Sequence, residues 1–146
     1  MTASRIDFAS TARDVYRAIY ALDESAAFEP RLRELVRIRA SQINGCAFCV
    51  DMHSVAAQKA GEHDRRIFAL AAWHESPFFD ERERAALALT EAMTRLPEGG
   101  VADDVYNAAA AAFSEAELGS LMGVIIAINA WNRVGVTTEL QPPVLA

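Results

Sequence analysis

The chain has 146 residues, a formal net charge of −6 and a pI near 5.0. That length suits one domain spanning 1–146 with a proper core, and the acidity argues against nucleic acid as the natural partner. Hydrophobic residues make up 52% of the chain while glycine (7) and proline (5) are sparse, which argues against a disordered chain.

Apolar residues recur at helical spacing almost throughout, and no segment shows sustained period-2 alternation, so the expected fold class is all-α with about seven helices. The first helix is predicted from Thr11 to Ala27, with Val15, Ile19 and Leu22 on one stripe. Pro30 suits the first turn of a second, which carries Leu32, Leu35, Val36 and Ile38 and stops at Asn44-Gly45. A third runs from Cys46 to Ala60 and ends at Gly61, a candidate left-handed cap. The fourth, Asp64 to Trp73, is closed by Ser76-Pro77. Asp80 with Glu83 forms a capping-box pattern that opens a fifth helix to Arg95, followed by the loop Pro97-Glu-Gly-Gly100. A sixth spans Ala102 to Ala112. Ser114 with Glu117 opens a seventh to Trp131, apolar nearly all round and so expected at the centre or at a subunit interface. The tail around Pro142-Pro143 should be irregular.

The N-terminal Met1-Thr-Ala-Ser-Arg-Ile-Asp7 lacks a basic region followed by an apolar run, so no secretory leader is expected. The longest apolar stretch, Leu121 to Ala130, is too short for a bilayer. The expectation is a soluble, cytoplasmic protein, where a cysteine pair serves catalysis, redox sensing or metal binding more often than stapling.

Both cysteines of the chain fall in one motif, Cys46-Ala-Phe-Cys49, with His53 four residues later. On a helix that turns about 100° per residue these three lie within roughly 60° of one another, which brings two thiols and an imidazole to one face. A thiol reacts as thiolate, and a helix N-terminus, an adjacent histidine base and a carboxylate that orients it all favour that form. Glu34 on the preceding helix is the candidate orienter, although Arg31 and Arg37 stand three residues to either side of it and offer simple ion pairs. Zinc is the competing use. It asks for four ligands, and only Glu34 is at hand to complete Cys46, Cys49 and His53. Arg31, Arg33, Arg37 and Arg39 fall on several faces of one helix and read as salt-bridged or solvated. Phe48, Trp73 and Trp131 read as core or interface aromatics, and His63 and His74 as surface or capping residues.

A glutamate twelve positions before a C-x-x-C, with a histidine four beyond it, resembles the AhpD-like alkylhydroperoxidases of the carboxymuconolactone decarboxylase superfamily. The segment Arg39-Ala-Ser-Gln-Ile-Asn-Gly-Cys-Ala-Phe-Cys-Val-Asp-Met-His53 looks like the signature of its small single-domain members. Glu83-Arg-Ala-Ala-Leu-Ala-Leu-Thr-Glu91 and Ile128-Asn-Ala-Trp-Asn-Arg133 look like its later helices, so the likeness runs from about Phe8 to Val136. It implies a helical fold assembled into homo-trimers or hexamers and a thiol-dependent peroxidase with no metal and no cofactor. It further implies Cys49 as the residue that attacks a hydroperoxide, Cys46 as the one that resolves the sulfenic acid, and His53 with Glu34 as a proton relay. The implied reductant is an external dithiol, lipoyl-bearing or thioredoxin-like. The chain departs from the best-studied pattern at Phe48, where a second histidine stands before the second cysteine.

Overall fold

The computed structural model describes residues 5–146; residues 1–4, and with them most of the segment read above for a leader, lie outside it. Among the described residues there are eight α-helices and no strand. In chain order they are α1 (Phe8–Thr11), α2 (Arg13–Ser25), α3 (Pro30–Asn44), α4 (Ala47–Lys59), α5 (Asp64–Ala69, continued by a 3₁₀ turn at Leu70–Ala72), α6 (Glu81–Arg95), α7 (Asp103–Ala112) and α8 (Glu115–Thr138). None is long and apolar enough to cross a membrane.

The expected first helix is two. Asp7 opens α1 ahead of Thr11 by accepting the Ala9 N–H, and Ala12 then leaves helical geometry at φ −117°, ψ 51°. The last helix runs to Thr138, past the expected stop at Trp131, and closes where Glu139 turns left-handed. Both expected capping boxes form, with Asp80 and Glu83 at α6 and Ser114 and Glu117 at α8. Pro30 stands in the first turn of α3. The tail beyond Glu139 is irregular.

Helix α3 organises the core. Its Leu32 and Val36 join Ala86 and Leu89 of α6 and Leu121, Val124 and Ile125 of α8 in one buried cluster. Leu35 and Ile38, on the neighbouring stripe, join Ala57 of α4, Leu70, Trp73, Phe79 and Leu87 in a second. Positions three and four apart on one helix thus feed two cores, as the helical period requires. A third, smaller cluster gathers Ala40, Cys46, Cys49 and Ile128, flanked by Phe48 and Trp131. Both thiol positions are therefore part of the interior. Helix α2 lies outermost: none of its residues is fully buried and Val15 is exposed, but Tyr16 meets Trp131 of α8 edge-on at 5.1 Å.

Candidate active site

The site begins where α3 stops. Gly45 takes φ +70°, a left-handed turn that costs glycine little, and the Cys46 N–H folds back to the Ser41 carbonyl at 3.0 Å. Cys46 is thereby the N-cap of α4 and not its first helical residue. Its sulfur accepts from the Cys49 N–H at 3.4 Å, at the positive end of the helix dipole. Cys46 and Cys49 form a disulfide, with Cα atoms 5.3 Å apart, and are only 2% and 3% exposed.

His53 lies one turn beyond Cys49 and is also buried. Its Nδ1 lies 2.8 Å from Oε2 of Glu34 on α3, so the carboxylate and imidazole meet across the α3–α4 pair. The other oxygen of Glu34 accepts from Arg37 Nη1 at 2.8 Å and from Arg33 Nε at 3.4 Å. Burial alone would raise the pKa of Glu34. The His53 hydrogen bond, then the charges on Arg37, His53 and Arg33, outweigh burial and hold it below its ordinary value. An ionised carboxylate only accepts, so Nδ1 of His53 carries a hydrogen whether the ring is charged or neutral, and the neutral form has its lone pair on Nε2. Glu34 thus makes both contacts weighed from the sequence, to an arginine and to His53.

Helix α8 forms the far wall. Cβ built on Gly135 would stand 2.8 Å from the Cys46 sulfur and 3.6 Å from that of Cys49, so the backbone approaches the sulfurs as closely as it can. A polar chain fixes this approach. Asn44 Nδ2 donates to Asn129 Oδ1 and Asn132 Oδ1, each at 2.9 Å, and Asn132 Nδ2 donates to Ser41 Oγ at 2.9 Å. Asn132 is fully buried. Sequence reasoning missed Gly135 and this asparagine chain. The visible trace was polar and glycine residues in an otherwise apolar helix, with Asn129 and Asn132 three apart on one face.

The other candidates serve elsewhere. Arg31 pairs with Glu62 and Arg39 with Glu91, so the arginines of α3 are salt-bridged to different neighbours. His63 caps α5, and exposed His74 stacks on Trp73. Among the described residues no group of three or more His, Cys, Asp and Glu side chains is gathered to hold a metal ion. The arrangement brings together a redox pair, a helix terminus, and a base backed by a carboxylate.

Residues 7–92 match the family described as the Carboxymuconolactone decarboxylase family. The uncharacterized protein YdfG of Bacillus subtilis is 44% identical over 104 residues, 71% of each chain. The crystal structure of ATU0492 from Agrobacterium tumefaciens, a protein of unknown function put forward as an antioxidant defence protein AhpD, superposes with a TM-score of 0.92. That match has 39% identity and covers 97% of this chain and 99% of the other. An uncharacterized peroxidase-related protein from Ralstonia eutropha with an alkylhydroperoxidase AhpD core shares the fold (TM-score 0.80, 17% identity, 92% of this chain and 74% of that chain covered).

Proposed function

This chain belongs to the carboxymuconolactone decarboxylase family, and from that premise we propose that it is a thiol peroxidase of the AhpD type. The observation that carries the reading is the Cys46–Cys49 disulfide at a helix N-terminus beside a histidine held by an ionised glutamate. In the reduced state Nε2 of His53 takes the proton of Cys49. The thiolate attacks the outer oxygen of a hydroperoxide, the O–O bond breaks, and the alkoxide leaves with that proton as an alcohol. Cys49 is then a sulfenic acid. Cys46 attacks its sulfur and expels water, which forms the disulfide. A dithiol returns two electrons and two protons and becomes a disulfide itself.

Phe48 leaves Glu34 and His53 as the proton path, and Phe48 and Trp131 beside the sulfurs favour an alkyl or aromatic hydroperoxide over hydrogen peroxide. The deep burial of both sulfurs favours a slender reductant such as a lipoyl arm over the broad face of a thioredoxin-like protein. The cycle fits the cytoplasm, which supplies such dithiols. Val15 and Tyr20, exposed on the single chain, support a homo-oligomer.

Rapid mixing of reduced protein with cumene hydroperoxide tests the reading. Thiol loss should exceed that of free cysteine by at least about a hundredfold, with one equivalent of alcohol released per disulfide. Cys49→Ser should abolish the reaction, and Cys46→Ser should stop after one turnover at a trappable sulfenic acid. A rate equal to free cysteine and unchanged in Cys49→Ser overturns it.

A further inference from the structure

The ion pairs do not end at Glu34. Arg37 reaches Glu34 with Nη1 at 2.8 Å and Asp23 of α2 with Nη2 at 2.7 Å, forming a bridge from the outermost helix to the base beside the thiols. We propose that Arg37, tethered by Asp23, is a positioning residue that keeps the Glu34 carboxylate ionised and fixed against His53; this rests on the peroxidase reading of the same site. Arg37 is 8% exposed and its Nε–H finds no protein acceptor, so the side chain is held inside with one donor unmatched. A buried guanidinium with an unmet donor is a poor device for stability alone, since such a donor loses its water without gaining an acceptor. The charges that face the couple are Arg33 and Arg37 from α3 itself, His53 from α4, and Asp23 from α2 through Arg37.

The consequence has a sign. On the peroxidase reading Cys49 gives its proton to His53, which Glu34 holds at 2.8 Å, and a cation beside this set makes it release protons more readily. Removing the cation makes the set hold its protons to higher pH. Removing the negative charge on Asp23 leaves Arg37 less offset and does the reverse, more weakly because Asp23 is nearer solvent. A side chain that merely filled space would not give opposite shifts for the two changes.

The test is the pH profile of iodoacetamide alkylation of Cys49 in reduced protein carrying Cys46→Ser, where Cys49 is the sole cysteine. Arg37→Met should move the midpoint up by roughly half a unit to one unit, Asp23→Asn should move it down by less, and Arg37→Lys should restore most of the Arg37→Met shift. Profiles for Arg37→Met and Asp23→Asn that superpose on the parent, or move in the same direction, overturn the proposal. His53→Gln separates its failure from that of the underlying reading. If His53→Gln moves the midpoint and Arg37→Met does not, Arg37 alone loses its role. If the Cys46→Ser parent already shows the midpoint of a free thiol and His53→Gln does not move it, the catalytic reading falls as well.

Discussion

A single missing side chain defines the space around the sulfurs. Glycine inside a helix costs about 1 kcal/mol relative to alanine, and Gly135 sits within α8. Its compensation is room, since an added Cβ would press on the Cys46 sulfur at 2.8 Å. Gly135→Ala should therefore destabilise the protein by about 1–3 kcal/mol, the usual cost of overpacking. With Cys46→Ala already present the same change should be neutral, or stabilising by up to about 1 kcal/mol, because only the helix preference remains. Urea denaturation of the four proteins in this cycle measures the difference; equal effects in both backgrounds would show that the sulfur is not what excludes the side chain. Residues of this kind are hard to read from sequence. Cys46, Cys49 and His53 declare themselves by local spacing. Gly135 meets them only through the packing of α8 against the start of α4, which no local pattern records.

Helix boundaries were legible wherever a side chain enforces them. Asp80, Ser114, Pro30 and Gly45 each satisfy or redirect backbone groups at the place where they stand, so their signals survive folding. The break at Ala12 carries no glycine or proline, and the continuation of α8 beyond Trp131 depends on tertiary contact, so neither was visible. The same holds at the corner that joins α4, α5 and α6. Glu62, with a fully buried side chain, receives Arg66 Nε at 2.7 Å and the His63 N–H at 2.8 Å, while Arg66 also reaches Glu83 and the Phe78 carbonyl. Burial would raise the pKa of Glu62, but the Arg66 and His63 hydrogen bonds hold it below its ordinary value. Arg66→Met leaves Glu62 with only Arg31 and the His63 N–H and Glu83 with only its Asp80 cap, and should cost about 1–3 kcal/mol by chemical denaturation. A loss under about 1 kcal/mol would mean that this corner is held by its apolar contacts alone.

At the scale of the whole molecule the helical class followed from periodicity, because two cores fed by one central helix impose a 3.6-residue rhythm on every segment that touches them. What periodicity cannot express is the polar junction that ties those segments together. Glu91 of α6 accepts from Arg39 of α3 at 2.9 Å, from the Trp73 indole at 2.9 Å and from its own helix through Arg95 at 3.2 Å, and lies 3.1 Å from His74 Nε2. Burial opposes its ionisation, yet the hydrogen bonds from Trp73, His74 and Arg39 and the charge on Arg39 bring its pKa from 4.5 down to about 2. A carboxylate that is more acidic folded than unfolded stabilises the fold fully above its unfolded value. That contribution fades as pH drops from about 4.5 towards 2. Glu91→Gln should therefore be clearly less stable than the parent at pH 7, with the gap constant down to about pH 5 and closing between pH 4 and pH 2. Thermal unfolding of both proteins across that range measures the gap. A difference that stays flat to pH 2 would mean that the junction is held by hydrogen-bond geometry and not by the charge on Glu91, and the acid limit of the fold would then have to be set by the buried carboxylates that also titrate low, Glu34 and Glu62.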